Sequence, residues 1–515
     1  MRYPLSIAAA LLASIAPVKF AAAQVSPIDL LKAAIAAEGG AEAGKALKGV
    51  SIEGEAKHWE PGQSYSAGGE ARFLGDTIFT TKWDLAKGMA KMELDRAMKY
   101  PAVETLKYSE VITPSLGFVT DAKGSSAASS IRVAAQLREL ERASPTLLLK
   151  AMDDLKNVSA AGKQKLGTES LPAISYTDMG NKFTILFDPK THLPAAIRTL
   201  DDDNINGDSS YDLILSDWKP VGGVKVAHTL TYKLNGLEVA KVTYKEVTAN
   251  PPLEEIAFVP NEAIKDRAKA PVNGNVPYQW VLRRIALGRF LDADTLFYPP
   301  NAPPKLVELG PNVQQVVTGS ANNLIVTMKD GLAIFDAPMG EAQSKWVIDA
   351  AKAKYPGKPI KYLILTHHHM DHAGGMRTYA AEGATIIVPA PDKAYFEKDL
   401  KTTHTVVPDA LQKAPKQVEI IEVKDQLTLK DDGGEIRLYR IDNPHVDGML
   451  IGHVVKDNVV WVTDLYSPVR DTTKNAGNSS LAATIKKLGI TGATFAGGHG
   501  ASGTQADLEA ITSRN

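Results

Sequence analysis

Apolar and polar positions change their rhythm several times along the chain. Residues 27–47 carry Leu30, Leu31 and Ile35 at helical spacing, which predicts a helical stretch interrupted at Gly39-Gly40. From there to about residue 260 the pattern is mostly strand-like. Val, Thr, Leu and Tyr fill 226–232 and 238–247, and the intervening Asn235-Gly236 predicts a tight hairpin because both residues tolerate positive φ. Residues 183–187 and 195–199 flank a turn with Asp188-Pro189 and predict a further antiparallel pair. Residues 131–142 place Val133, Leu137 and Leu140 on one face of an amphipathic helix, and Ser144-Pro145 opens another.

The rhythm changes again beyond a connector at 265–304. That connector is small and polar at 268–277, helix-like at 280–291, and stiffened by Pro299-Pro300 and Pro303-Pro304. From 305 to 515 strands alternate with helices: strands at 324–328 and 332–335, a helix at 342–354, and a strand at 361–366. The predicted organisation is therefore a β-rich part at 24–264, the connector, and a mixed part at 305–515.

Residues 1–23 read as a leader. Arg2 precedes an apolar stretch at 5–18, and Ala21-Ala22-Ala23 offers a cleavage site before Gln24. The stretch is interrupted by Pro17 and falls short of the roughly 20 residues needed to cross a bilayer. A periplasmic or secreted mature protein without a transmembrane segment is expected.

With 58 Lys+Arg against 59 Asp+Glu in 515 residues the net charge is -1, which gives no basic footprint for a nucleic-acid partner. There are 11 histidines and no cysteine, so disulfides, thiolate ligands and a cysteine nucleophile are excluded. Any metal must be held by nitrogen and oxygen.

The stretch YLILTHHHMDHAGG at 362–375 runs from an apolar strand into such ligands. If the loop stays extended, alternate side chains share a face, so His367, His369 and Asp371 converge while His368 and Met370 point away. His372 joins as the chain turns through Gly374-Gly375. Three more candidates each follow an apolar strand: His445 after 436–441, Asp464 after 459–463, and His499 after 493–496, between Gly498 and Gly500. Imidazole suits zinc and iron, and the carboxylates help to hold a second cation.

This order of residues, T-H-x-H-x-D-H-x-G-G followed by His, Asp and His, resembles the metallo-β-lactamase-fold hydrolase superfamily over 305–515. The resemblance implies an α+β protein whose C-terminal part is a four-layer αββα sandwich. It also implies two divalent metal ions, zinc foremost, with iron or manganese compatible. One would lie on His367, His369 and His445, the other on Asp371, His372 and His499, with Asp464 bridging. A hydroxide shared by the metals would be the nucleophile, oriented by Asp371, which could pass its proton to the leaving group. Tyr466, two residues beyond Asp464, is an expected donor to an oxyanion. The sequence departs from the family where Val446-Asp447-Gly448 follows His445 in place of the frequent Thr-Pro-Gly.

Residues 173–260, through FTILFDPKTHLPAAIRT at 183–199, resemble the half-barrel of periplasmic lipoprotein carriers. That implies an antiparallel, half-barrel-like N-terminal domain whose concave sheet covers something apolar.

The expected function is an exported dinuclear hydrolase of a small-molecule ester, lactone or thioester, with an apolar substrate suited to the concave sheet. Three alternatives stand beside it. β-Lactam hydrolysis is disfavoured because those branches of the superfamily generally carry Cys or Ser where this chain has Asp464. An iron-dependent sulfur dioxygenase would leave His372 and His499 idle. An apolar-ligand-binding protein with a vestigial metal domain is opposed by the intact ligand set. Outside this set, Asp336 is read as support for its loop, His404 within 401–416 as part of a lid, and His58, His192, His228 and His453 as structural.

Overall fold

The structure, a computed structural model, describes residues 26–514 except 102, 255–257, 261, 266–303 and 319–320. The leader, the helix expected at 280–291 and most of the connector lie outside the described residues. No helix among the described residues is long and apolar enough to cross a membrane.

The N-terminal part is one antiparallel sheet of 13 strands. Neighbours in sequence are neighbours in the sheet except Gly124–Ala127 and Val158–Leu166, which form its two edges, and the strand Gly49–Glu60 joins the two runs by pairing with both Arg72–Asp84 and Leu237–Ala249. The Asn235-Gly236 hairpin forms between Val224–Leu234 and Leu237–Ala249, with Asn235 at φ 46°. The β-rich expectation thus holds, and the sheet is larger than the half-barrel segment alone.

The helix Ser130–Ala143 crosses the face of this sheet. Ser129 caps it by accepting from Arg132 N at 3.1 Å, a contact of the kind worth ~1 kcal/mol. Two buried bidentate pairs pin it: Arg132 on Glu110 at 2.7 and 2.8 Å, and Arg138 on Asp201 at 2.8 and 2.9 Å. Such pairs specify a docking angle more than they add stability. A cavity of about 240 Å³ remains between helix and sheet, walled by Phe79, Trp83, Tyr211, Tyr232 and Tyr244. Thr77 also lines it, and the Oγ1 of this buried side chain has no hydrogen-bond partner.

The C-terminal part holds a 7-stranded and a 6-stranded sheet. Phe335, Ile364 and Ile387 from the first meet Leu438, Leu450 and Trp461 from the second in a shared core. The outer face of the first sheet is covered by the helices Glu341–Lys354 and Met376–Glu382, and that of the second by Ala476–Leu488 and Gln505–Thr512. This is the expected four-layer αββα arrangement, and each sheet's central strands read as continuous apolar runs because both faces are buried.

The two parts share a core. Ile131, Ala134, Ala135 and Ile205 of the N-terminal part pack into the same apolar cluster as Leu365, Met370 and Met376. The segment expected to form a lid belongs to this interface instead. His404 is buried with Nδ1 3.3 Å from Asp202 Oδ1, and Asp208 accepts from Thr405 N and Oγ1. The reason is local charge: the acidic hairpin tip 201–208 offers acceptors that the backbone after Thr402 lacks.

Candidate metal centre

Parallel strands deliver the site. Ile360–Ile364 lies between Leu332–Phe335 and Thr385–Pro389, and His367 just beyond it faces Asp464, which follows Val459–Val462. The expectation of a fully extended loop is corrected here. The chain is extended only to His369, at φ -61° and ψ 140°, which opens the short helix Met370–Ala373. Asp371 and His372 therefore enter the site from a helical turn. Gly374 and Gly375 permit that turn to pack: a Cβ on Gly374 would lie 2.6 Å from Met339 O, and one on Gly375 1.9 Å from Ser344 Oγ.

All seven predicted ligands come together, in two groups whose donor atoms lie within 4.8 Å of one another: His367, His369 and His445, and Asp371, His372, Asp464 and His499. His445 Nε2 is 3.0 Å from His369 Nδ1, and His372 Nε2 is 3.1 Å from His499 Nε2. Asp464 stands between the groups. Its Oδ2 is 2.9 Å from His372 Nε2 and 3.5 Å from His367 Nε2, and its Oδ1 is 3.3 Å from His499 Nε2 and 3.8 Å from His445 Nε2. Asp464 adopts φ 39°, a left-handed conformation that Asp tolerates better than most residues.

The donor set fits divalent cations. Facing imidazole nitrogens about 3 Å apart repel when both carry lone pairs, and a cation converts that repulsion into coordination. His367 Nε2 is buried without a hydrogen-bond partner, an unfavourable state that a metal would relieve. Burial, with the neighbouring His369, His372 and His445, pushes His367 well below the usual imidazole range, and burial with His445 and His368 does the same for His369. Both are thereby kept as neutral donors. Burial also opposes charge on His372 and His499, but nearby carboxylates, Asp464 foremost, outweigh it and raise both. Burial would raise Asp464, yet His372, His445 and His499 hold its carboxyl well below the usual range.

A surrounding shell orients these groups. Asp336, fully buried at φ 60°, accepts from Thr366 N at 2.8 Å and Trp461 Nε1 at 3.1 Å, and its Oδ2 lies 3.2 Å from His372 Nδ1. The reading of Asp336 as a support is thus made specific: it supports a ligand. His368 turns away from the cluster, toward Asp392 Oδ1 at 3.3 Å and Ser64 O at 3.0 Å.

Tyr466 requires a correction. Its ring is buried against Phe495 in the core beneath the second sheet, and burial together with Asp507 and Asp471 raises its hydroxyl. The positive φ of Asp464 turns the chain so that the residue two positions on faces the core, away from the ligand cluster.

Sequence reasoning missed Gln63, Ser64, Arg72 and Tyr100. They come from the N-terminal sheet and reach the centre only through tertiary packing. No spacing in the sequence points to them.

The sequence model of the metallo-beta-lactamase superfamily matches residues 317–468. The C-terminal part is a metallo-β-lactamase superfamily domain. Among curated relatives, the chain is 37% identical over 73 residues to a linear primary-alkylsulfatase of Pseudomonas sp, a match covering 14% of this chain and 11% of that protein. It is 28% identical over 88 residues to the metallo-beta-lactamase IND-1 of Chryseobacterium indologenes, covering 17% of this chain and 36% of that one. The matched stretches thus span about a tenth and a third of these relatives. Among solved structures, a metallo-beta-lactamase from Pontibacter korlensis aligns with a TM-score of 0.32 and 16% identity, over 41% of this chain and 97% of that one. The matched residues of the superfamily domain include His367, His369, Asp371, His372, His445 and Asp464, while His499 lies beyond them.

Proposed function

We propose that the protein is an exported, dinuclear metal-dependent hydrolase of small-molecule esters, lactones or thioesters. The observation that carries this reading is the convergence of seven nitrogen and oxygen donors in two groups with Asp464 between them. His367, His369 and His445 would hold one cation, Asp371, His372 and His499 the other, and Asp464 both. When bound, two divalent cations supply Lewis acidity toward a carbonyl oxygen and acidify a water toward neutrality, so no side-chain nucleophile is required.

The chain's own groups do the rest. Asp371 presents Oδ2 toward the second group, 3.8 Å from His372 Nε2 and 3.7 Å from His499 Nε2, where it can orient the attacking water and carry its proton to the leaving group. Burial of the imidazoles keeps competing water out and strengthens each electrostatic contact. The aromatic cavity under Ser130–Ala143 is suited to an apolar substrate tail, since the strand Gly49–Glu60 that walls it continues directly to Gln63 at the metal centre.

A second reading, sulfate-ester hydrolysis, is favoured by the 37% identity to a linear primary-alkylsulfatase. β-Lactam cleavage ranks below both because Asp464 would add negative charge to any cations held there and so disfavour their stabilising a lactam nitrogen leaving group. The test is metal analysis of the purified mature protein together with turnover of lactones, thioesters, aryl esters, an alkyl sulfate and a chromogenic β-lactam. Efficient β-lactam cleavage without turnover of any ester would overturn the ranking, and fewer than two metal equivalents would overturn the dinuclear assignment.

A further inference from the structure

The centre is not built by the C-terminal part alone. The strand Gly49–Glu60 leaves the N-terminal sheet through a single turn, Pro61–Gln63, closed by Gly62 N donating to Glu60 Oε1 at 2.8 Å. The turn delivers two buried residues to the ligand cluster. Gln63 Nε2 donates to Asp371 Oδ1 at 2.6 Å. Ser64 O lies 2.9 Å from His369 Nε2 and 3.0 Å from His368 Nε2. Beyond the turn, Asp447 N donates to Tyr65 O at 2.8 Å, and Arg72 Nη2 donates to the carbonyl of His445 at 2.9 Å.

We propose that Gln63 is a positioning residue for the second cation, acting through Asp371, and that Tyr100 anchors it. This rests on the dinuclear reading above.

A carboxylate can only accept, so the Gln63 group that faces Asp371 must be the NH2. The Oε1 end then faces Tyr100, whose hydroxyl donates to it at 2.5 Å. The carboxylate thereby selects the amide orientation, and the bond from the phenol holds the amide in it. Arg72 lies 4.6 Å over the Tyr100 ring and so ties the phenol to the same segment that carries His445.

With Oδ1 engaged by Gln63, Asp371 is left with Oδ2 directed at His372 and His499. Ser64 acts in parallel on the first group. Its carbonyl accepts a hydrogen bond from Nε2–H of His369 and leaves the Nδ1 lone pair facing His445. A merely structural Gln63 would join the two halves of the chain without favouring either cation. A positioning Gln63 acts on one of them.

The test uses metal-free full-length protein titrated with zinc against a chromogenic chelator, comparing wild type, Gln63→Leu and Tyr100→Phe. Leu retains much of the volume and removes the amide. Gln63→Leu is expected to weaken the second equivalent by ~10–100-fold while leaving the first near its wild-type affinity. Tyr100→Phe should weaken the same equivalent by a smaller factor, since the amide still donates to Asp371 but loses the bond that holds its other end.

Wild-type affinity for both equivalents in a folded Gln63→Leu protein overturns the proposal, and so does equal weakening of both. If Gln63→Leu does not fold, Tyr100→Phe decides, and an unchanged second equivalent there overturns it. A wild type that takes two equivalents alongside an unaffected variant sinks this inference alone. A wild type that never takes a second equivalent sinks the dinuclear reading and this inference with it.

Discussion

His372 and Asp336 meet through Nδ1 and Oδ2 at 3.2 Å, with both residues fully buried, and the other ring nitrogen of His372 is 2.9 Å from Asp464 Oδ2. Asp336 therefore decides which nitrogen of His372 is free to bind a metal. It also terminates a strand in a left-handed conformation and accepts from Thr366 and Trp461, so one carboxylate ties three strand ends to one ligand. In Asp336→Asn an NH2 would face the donors now satisfied by oxygen. The variant is expected to lose ~10–100-fold in affinity for the second cation and about 1–3 kcal/mol of stability. Zinc titration and urea unfolding measure the two effects, and wild-type values in both would show that Asp336 has no part in the centre.

Removal of ligands separates the two groups. His367→Ala and Asp464→Ala are both expected to abolish turnover, but for different reasons: the first empties one group, whereas the second removes the carboxylate that stands between them. Metal content should fall from about two equivalents in the wild type to about one in His367→Ala. An Asp464→Ala protein with two metals and full turnover would disprove the bridging assignment.

The cavity gives a prediction about substrate length. Ala56 lines it from the strand Gly49–Glu60, and Ala56→Trp would occupy space now open to a ligand. Excluding two methylenes of a substrate tail, at ~0.8 kcal/mol each, corresponds to about tenfold in affinity. Long-chain esters should therefore show a KM raised about tenfold, with kcat and the constants for short-chain esters unchanged. Equal loss on both lengths would mean that the cavity serves packing and not capture.

Glu38 closes the first helix in a buried position, where desolvation raises its carboxyl from 4.5 to about 8. The folded state therefore holds this proton more tightly than the unfolded state. Its contribution to stability is complete below pH 4.5 and is lost as the pH rises through about 8. Glu38→Gln cannot ionise and escapes that loss. Urea unfolding of both proteins at a series of pH values should show the stability difference moving in the variant's favour from about pH 5 to about pH 9. Each tenfold difference in proton affinity between folded and unfolded states is worth ~1.4 kcal/mol, so the movement should approach a few kcal/mol. A difference that stays constant with pH would show that the carboxyl titrates normally.

Much of the chemistry was legible in the order of residues. The ligands of this domain follow apolar strands, and strands buried on both faces can carry polar groups only where they end, so those groups gather along one edge of the sheets. That is why His367, His369, Asp371, His372, His445, Asp464 and His499 could be chosen from spacing and strand context. The Asn235-Gly236 hairpin and the helix Ser130–Ala143 were legible for a similar reason, since turn chemistry and helical periodicity are local.

Orientation was not local. Whether the chain after Thr366 stayed extended or coiled at Met370 depended on packing against Met339 and Ser344, contacts made across the sheet. Tyr466 had the right distance in sequence and the wrong direction in space, because a left-handed Asp464 sends it into the core. Gln63 and Tyr100 carry no motif at all: an amide held by a phenol is ordinary until the C-terminal part is docked and the amide lies 2.6 Å from a carboxylate. Which groups can bind a cation is therefore written in the chain itself, since donor chemistry and strand ends are enough to choose them. Which proton each ring keeps and which oxygen each carboxylate offers emerges only on folding, because those choices belong to hydrogen bonds between residues distant in the chain, by 36 positions for Asp336 and His372 and by more than 300 for Gln63 and Asp371.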